Sequence, residues 1–192
     1  MSGLVVAKPE TAAGQLTLRS GLTRRKNFKE EEKYEDIYAA LCAQGVQFVP
    51  PRESAKRRGA VLLDVRLTDA VARERIPQAV AAPLYRLIEG FSPFAIIRRA
   101  AFAFFAIPGT ERNPEWLEQV AAAVKGNKGA ELIVVCERGG SLVNKPGMSL
   151  GFQSRSLKAV YLLRQAGFRN VRVMEGGMYG WGQADLPVVS DE

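Results

Sequence analysis

Cys136 is the residue of this chain best placed to act as a nucleophile. It directly follows the aliphatic run Leu132–Val135, and an apolar run without polar alternation predicts a strand buried on both faces of a parallel sheet. A helical pattern begins near Ser154, and Gly167 stands where the C-terminal cap of that helix is expected. The thiol therefore falls at the carboxyl end of a parallel strand, where open α/β sheets form their binding sites.

The chemistry expected of Cys136 depends on how its thiolate is stabilised. A thiol attacks as the thiolate, whose pKa falls near helix N-termini, main-chain amides and arginines. Gly139 and Gly140 permit a loop whose N–H groups turn toward the sulfur, and the following helix adds its positive end. Arg138 and Arg155 are close enough in sequence to contribute positive charge. The alternative is a buried, inert cysteine that ends a core strand.

Composition and charge limit the classes of protein that fit. The 192 residues are 47% hydrophobic, which predicts one domain with a sizeable core and room for a small appendage. The net charge of +7 indicates a basic surface that favours acidic partners. However, the basic run 56–58 lacks interleaved aromatic residues, so we expect no nucleic-acid ligand. No stretch has the pattern of a secretory signal or of an uninterrupted membrane span.

The cysteine and histidine content narrows the chemistry further. Cys42 and Cys136 are too few and too far apart for a disulfide framework, and the chain has no histidine. We therefore expect no ordinary zinc cluster and no cofactor. A thiol that works in a reducing compartment fits this content better. Without histidine there is no Cys-His couple, so amides and arginines must activate Cys136.

The chain divides into an N-terminal arm and one domain. Residues 1–30 are rich in Gly, Thr and Ala and carry a basic cluster near their end, so we assign them to an arm and 31–192 to a single domain. A charged helix is predicted over 30–43, with an apolar stripe for packing on the domain. Cys42 lies on that stripe and is predicted to be a core residue, because free cysteines usually behave as small hydrophobic residues.

Short apolar runs recur along the domain and predict the strands of a sheet. Helical patterns separate these runs, as in an α/β fold in which consecutive parallel strands are joined by helices. The sheet is therefore expected to be mostly parallel. The predicted strands lie at 46–49, 60–63, 132–135 and 171–174.

An aromatic segment at 91–108 stands apart from the rest of the chain. It is too apolar to be a helix exposed to solvent on one face. Two arginines at its centre also make it a poor candidate for a transmembrane helix. Three interpretations are open: core filling under the sheet, a docking surface for a protein partner, or a helix lying in a membrane interface. The candidate partner-binding residues are Phe91, Phe94, Phe102, Phe104 and Phe105.

Several ordered motifs give the domain a family resemblance. They are Leu63-Asp64-Val65-Arg66, Ile76-Pro77 with Ala79-Val80 and Pro83-Leu84, Val134-Val135-Cys136 with Gly139, Arg155-Ser156 with Ala159, Gly167-Phe168 with Val171, and Glu175-Gly176-Gly177 with Trp181. Over about 60–188 their order and spacing resemble the rhodanese domain. The resemblance implies a three-layer fold with a mostly parallel sheet and helices on both faces. It also implies a cysteine that accepts a sulfane sulfur as a persulfide and passes it to an acceptor.

The resemblance assigns roles around Cys136. Cys136 becomes the catalytic nucleophile and persulfide carrier, and thiosulfate is a representative donor. In the family pattern Cys-x-x-Gly-x-Arg-Ser the arginine follows closely, whereas here it comes after a long intervening loop that must fold back. Insertions are thus expected at about 90–112 and 140–153. The implied substrate-binding residues are Glu137, Arg138, Gly139, Gly140, Arg155 and Ser156.

A narrower similarity concerns the two insertions. They are similar to those of plastid, thylakoid-associated rhodanese-like proteins of plants and algae, which implies a chloroplast location, with the cytoplasm as the alternative. Two functions are expected as alternatives: a sulfurtransferase, or a non-catalytic module that binds or regulates a thylakoid-membrane or other acidic protein complex. A third interpretation makes Cys136 a redox sensor.

Overall fold

The structure is a computed structural model that describes residues 32–104 and 109–190. Its strands are β1 (Phe48–Val49), β2 (Val61–Asp64), β3 (Val80–Ala81), β4 (Tyr85–Leu87), β5 (Thr110–Arg112), β6 (Leu132–Val135) and β7 (Val171–Met174). A five-stranded sheet has the order β1-β7-β6-β2-β3, and all of its neighbouring strands run parallel. β4 and β5 form a separate antiparallel pair. The predicted α/β class with a mostly parallel sheet is confirmed.

Helices cover both faces of the parallel sheet. The helices of the described residues are α1 (Tyr34–Ala43), α2 (Pro51–Lys56), α3 (Thr68–Arg73), α4 (Pro93–Phe104), α5 (Trp116–Ala123), α6 (Arg155–Gln165) and α7 (Gly177–Gln183). Leu41 of α1, Val120 of α5 and Leu157 of α6 belong to one buried apolar cluster. Trp181 of α7 belongs to a second cluster, against which Ala55 of α2 packs. The sheet therefore separates two apolar layers.

The central strand β6 shows how these layers determine the direction of the thiol. All of its residues are buried. Leu132 and Val134 join the cluster of α1, α5 and α6, whereas Ile133 and Val135 join the cluster of α7. Successive side chains of a strand point to opposite faces, so Cys136 continues the series of Leu132 and Val134. Its side chain is accordingly part of the α1, α5 and α6 layer.

Each of the two regions predicted as insertions is closed at its base by a short antiparallel pairing. β4 and β5 pair on either side of α4 along the chain. Ser141 and Phe152 pair at the base of the second region, with two main-chain hydrogen bonds of 3.0 and 2.9 Å. Further out, Lys145 and Met148 form another such bridge. The chain between 141 and 152 therefore folds as a projecting hairpin, which we call the loop hairpin.

Two tyrosines of α1 hold the loop hairpin against the domain. The Tyr34 hydroxyl donates to the Leu150 carbonyl at 3.2 Å. The Tyr38 hydroxyl lies 3.1 Å from the Leu142 carbonyl and 2.5 Å from Asn144 Oδ1. Burial raises the pKa of the Tyr34 hydroxyl above its ordinary value.

Two predictions about apolar residues are wrong. Cys42 is exposed, because the buried stripe of α1 runs through Ile37 and Leu41 and each helical residue turns about 100° from the one before. Core filling, one of the three interpretations of 91–108, does not hold for Phe91 and Phe94, which are exposed, although Ala95 is buried. The predicted arm, 1–30, lies outside the described residues.

Candidate active site around Cys136

Cys136 lies directly after β6, at the carboxyl edge of the parallel sheet. The residue is 3% exposed. Its carbonyl accepts a hydrogen bond from the N–H of Met178 at 2.8 Å, and the Glu137 carbonyl accepts one from the N–H of Tyr179 at 3.0 Å. The start of the loop is thus fixed to the first turn of α7. The position predicted for Cys136, at the end of a buried strand, is the one observed.

Glycines allow the loop after Cys136 to contact α7 through the main chain. Gly139 and Gly177 have φ angles of +70° and +58°, a region that favours glycine. A Cβ on Gly139 would lie 2.5 Å from the Met174 carbonyl oxygen and 2.8 Å from the Gly176 nitrogen. A Cβ on Gly177 would collide with the carbonyl oxygen of Cys136. These contacts leave no room for a side chain on either glycine.

Residues 137–140, which we call the cysteine loop, follow Cys136 directly. The loop hairpin does not separate the cysteine loop from the start of α6. The Ser154 hydroxyl donates to the Gly139 carbonyl at 3.1 Å and accepts from the N–H of Leu157 at 3.2 Å. Ser154 is the N-cap of α6, so the same side chain caps the helix and closes the loop. Gly140, with φ of +80°, lies directly against Ser154. The residues on either side of the loop hairpin are therefore in contact.

The Arg-Ser pair expected to bind substrate occupies the first turn of α6. Arg155 is the first helical residue and is half-buried. Ser156 is fully buried, and its hydroxyl has no hydrogen-bond partner among the described residues. Since Gly140 contacts Ser154, the closed loop brings this pair back next to the cysteine loop. A compact loop of the pattern Cys-x-x-Gly-x-Arg-Ser would also place the Arg-Ser pair next to the cysteine loop.

The first two residues after Cys136 line a cavity beside α7. Glu137 and Arg138 are both exposed, and the Arg138 guanidinium lies 5.5 Å from the centre of the Tyr179 ring. The cavity has a volume of about 620 Å³. Cys136 is not among its lining residues within the described part of the chain, since the thiol points to the other face. The lining consists of Glu74, Glu137, Arg138, Met178, Tyr179, Gly182, Gln183 and Asp185.

A buried ion pair supports the cysteine loop from the neighbouring strand. Arg66 and Asp64, at the end of β2, are 2% and 1% exposed, and two-point hydrogen bonds of 2.8 to 3.1 Å join them. Burial alone would lower the pKa of Arg66, but the hydrogen bonds and charge of Asp64 outweigh it and raise that pKa. Arg66 also donates to the Glu74 carbonyl and lies 3.9 Å from a Glu137 carboxylate oxygen.

Sequence reasoning did not assign site roles to the residues that support the loop from behind. Arg66 and Gly177 both fall inside the motifs of the family resemblance, Leu63-Asp64-Val65-Arg66 and Glu175-Gly176-Gly177. The available signal for Gly177 was two adjacent glycines at the end of a predicted strand, which indicates backbone that must pass close to another segment. For Arg66 the signal was a charged pair directly after an apolar run, where a buried strand ends.

The five phenylalanines predicted to bind a partner do not share one environment. Phe91, Phe94 and Phe104 are 89%, 70% and 86% exposed. Phe102 is half-buried, and its ring lies near Gly109 and Ile88. Phe105 lies outside the described residues. No helix in the described part of the chain has both the length and the apolar character needed to cross a membrane.

Comparison with known proteins identifies the family of this chain. The sequence profile of the rhodanese-like domain matches residues 52–184. The chain belongs to the rhodanese-like domain family. It is 37% identical over 186 residues to the chloroplastic rhodanese-like domain-containing protein 14 of Arabidopsis thaliana, and the match covers 94% of this chain and 82% of that relative.

The chain is also similar to solved structures, among them a thiosulfate sulfurtransferase. A thiosulfate sulfurtransferase from Pseudomonas aeruginosa is 16% identical with a TM-score of 0.47, and the match covers 83% of this chain but 23% of that one. The BH2092 protein from Bacillus halodurans is 16% identical with a TM-score of 0.46, and the match covers 83% of this chain and 88% of that one. This rhodanese-like chain therefore spans less than a quarter of the Pseudomonas enzyme.

Proposed function

We propose that this rhodanese-like protein is a sulfurtransferase that carries sulfane sulfur on Cys136. The observation that supports it most is the closure of the loop by Ser154, whose hydroxyl reaches the Gly139 carbonyl at 3.1 Å. Because of this contact, the cysteine loop leads into the N-terminus of α6 as though the loop hairpin were absent. A helix N-terminus and a loop of main-chain amides stabilise a thiolate and a persulfide anion.

The proposed reaction has two steps. The Cys136 thiolate attacks the outer sulfur of thiosulfate, so that a new S–S bond forms, the S–S bond of thiosulfate breaks and sulfite leaves with the electron pair. A nucleophilic acceptor such as cyanide or a thiolate then takes the outer sulfur of the persulfide and restores the Cys136 thiolate. Amides of 137–139 stabilise the anions, since the Gly140 N–H donates to the Arg138 carbonyl at 2.8 Å. Arg155, in the first turn of α6, holds the anionic donor, and the buried Ser156 hydroxyl is a further hydrogen-bond donor.

The experiment is mass spectrometry of the protein after incubation with thiosulfate. Wild type is expected to gain one sulfur atom on the peptide that contains Cys136, and cyanide is expected to remove it. Cys136→Ser should gain none. Cys42→Ser is the matched control, because Cys42 is an exposed thiol on α1 and its removal should leave the added sulfur at Cys136.

Two outcomes would contradict sulfur transfer at this site. One is wild-type protein with no sulfur on Cys136 at any thiosulfate concentration. The other is equal thiocyanate production by wild type and Cys136→Ser. The measurement thus separates chemistry at Cys136 from chemistry at the exposed thiol.

The second candidate is a non-catalytic rhodanese-like module that binds or regulates an acidic protein complex. Two observations favour it: Cys136 is 3% exposed, and the cavity beside the loop does not include Cys136 within the described residues. A protein that takes up no sulfur from thiosulfate or a small organic persulfide would favour this function over catalysis.

We also propose that the protein works in the chloroplast, in association with thylakoids. The support is its relative from Arabidopsis thaliana, which is described as chloroplastic. Fractionation of isolated plastids, with an antibody against this chain, tests both parts. Recovery outside plastids would overturn the proposal, and recovery in the stroma alone would overturn its thylakoid part.

A further inference from the structure

The outward face of α4 is apolar along its whole length. The exposed residues of this helix are Pro93, Phe94, Ile96, Ile97, Ala100, Ala101, Ala103 and Phe104. Phe94 and Ile97 are 70% and 66% exposed. Adjacent to the helix, Phe91 is 89% exposed and extends the same apolar surface. Contiguous exposed apolar surface of this kind marks an interaction site in a folded protein.

Positive charge lies directly behind this face. Arg98 and Arg99 are half-buried, and their guanidinium groups lie 5.7 and 5.8 Å from the ring centres of Phe94 and Phe91. Arg98 also pairs with Glu111 at 3.2 Å. The sequence from 90 to 110 contains no aspartate or glutamate. The exposed face is thus apolar, and the two half-buried cations lie against two of its aromatic rings.

We propose that α4 is a docking site for an anionic lipid surface. In a bilayer, hydrocarbon lies beneath a layer of phosphates, so a helix in the interfacial plane buries its apolar face about 5–10 Å deep while its arginines reach the headgroups. The layering of α4 matches this order, with Phe94 and Ile97 outermost and Arg98 and Arg99 behind them. The net charge of +7 adds attraction to anionic headgroups.

Charge argues against a second copy of the chain as the occupant. Two chains of net charge +7 repel each other. An interface made by α4 would also bring Arg98 and Arg99 of both copies together around one apolar patch. The same charges favour phosphate groups. Docking of α4 on lipid does not require Cys136 to be catalytic.

The experiment is flotation of the full chain with lipid vesicles of defined composition. With a two-to-one mixture of phosphatidylcholine and phosphatidylglycerol, the wild-type protein is expected to float at low salt. With phosphatidylcholine alone, or with the anionic vesicles at high salt, the floating fraction should fall, because screening weakens attraction to headgroups. Sedimentation equilibrium without vesicles is run in parallel.

Paired variants identify α4 as the responsible element. Phe94→Ser/Ile97→Ser is expected to lower partitioning at least about tenfold, because the apolar contribution to interfacial binding scales with buried area. Val143→Ser/Met148→Ser is the matched control, since Val143 and Met148 are 64% and 44% exposed on the loop hairpin. This control should float as wild type does. Thermal unfolding checks that both variants are folded.

Three outcomes would overturn the proposal. The first is no flotation of wild type with anionic vesicles at low salt. The second is equal flotation of wild type and Phe94→Ser/Ile97→Ser, which would place the lipid contact elsewhere in the chain. The third is a wild-type dimer, without vesicles, that the same variant dissociates, because α4 would then bind a second copy.

Discussion

At the scale of single residues, the candidate site depends on glycines at positions where no side chain fits. Gly177 has φ of +58°, and a Cβ there would collide with the carbonyl oxygen of Cys136 and approach the Arg138 nitrogen to 2.8 Å. The three nearest atoms all belong to the main chain, so no side chain can move aside to make room. The position of the cysteine loop is therefore coupled to one glycine of α7.

The Gly177→Ala substitution tests this coupling. It is expected to lower the free energy of unfolding by at least about 2 kcal/mol, because alanine is strained at positive φ and the loop must also shift. Persulfide formation at Cys136 should fall with it, since the shifted loop no longer presents its amides. Urea unfolding and mass spectrometry measure the two effects.

Gly182 provides the matched control in the same helix. Nothing lies within 4 Å of a Cβ placed there, and its φ is not positive. Gly182→Ala is expected to raise the free energy of unfolding by about 0.5–1 kcal/mol, because glycine inside a helix costs conformational entropy. Equal effects of the two substitutions would show that helix propensity, and not the main-chain contact, determines the result.

At the scale of elements, the fold accommodates two insertions by closing each at its base. The β4–β5 pair closes the first and the Ser141–Phe152 bridge closes the second. Closure of a loop costs entropy that grows slowly with loop length, and the short antiparallel pairings offset it. Neither insertion therefore has to alter the parallel sheet or the start of α6.

Excision of 141–152, with Gly140 joined to Gln153, tests the independence of the loop hairpin. The shortened chain is expected to fold and to lose at most about 3 kcal/mol, from the packing of Leu142 and the hydrogen bonds of two tyrosine hydroxyls. Near-ultraviolet circular dichroism and urea unfolding measure the outcome. A molten or unfolded product would show that the loop hairpin is part of the folding core.

The N-cap provides a second measurement on the same pair of chains. Ser154→Ala should cost about 0.5–2 kcal/mol in the full chain. If the junction of Gly139 and Ser154 is independent of the loop hairpin, the cost should be the same within about 0.5 kcal/mol in the shortened chain. A cost that disappears after excision would mean that the loop hairpin had held the junction together.

The elements also show which features the sequence could predict. Buried strands such as Leu132–Val135 are predicted by their apolar runs, and the start of α6 near Ser154 by its helical pattern. The position of the loop hairpin against the domain could not be predicted, because its contacts with Tyr34 and Tyr38 join segments about a hundred residues apart. The exposure of Cys42 was missed since it borders the buried stripe of α1.

At the scale of the whole molecule, the parallel sheet separates the Cys136 thiol from the cavity beside α7. The Cys136 side chain belongs to the layer of α1, α5 and α6. Glu137, Arg138 and Tyr179 line the cavity on the side of α7. Cys136 is 3% exposed, so a small anion needs only a narrow opening in the covering layer to reach its thiol. A bulky reagent requires the covering layer to open.

Thiol labelling with a bulky aromatic disulfide measures that opening. Cys42→Ser leaves Cys136 as the reacting thiol, and Cys136→Ser leaves the exposed Cys42. In native buffer Cys136 is expected to react at least about 100-fold more slowly than Cys42, because labelling must wait for local or global opening of the layer. Urea should accelerate Cys136 in step with unfolding and change Cys42 little.

Comparable rates for the two thiols in native buffer would contradict this account. They would place Cys136 at an open surface, accessible to large acceptors as well as to small anions. A slow Cys136 that still takes up sulfur from thiosulfate would instead mean that the fold selects donors by size. The buried layer that protects the persulfide would then also determine which molecules can deliver it.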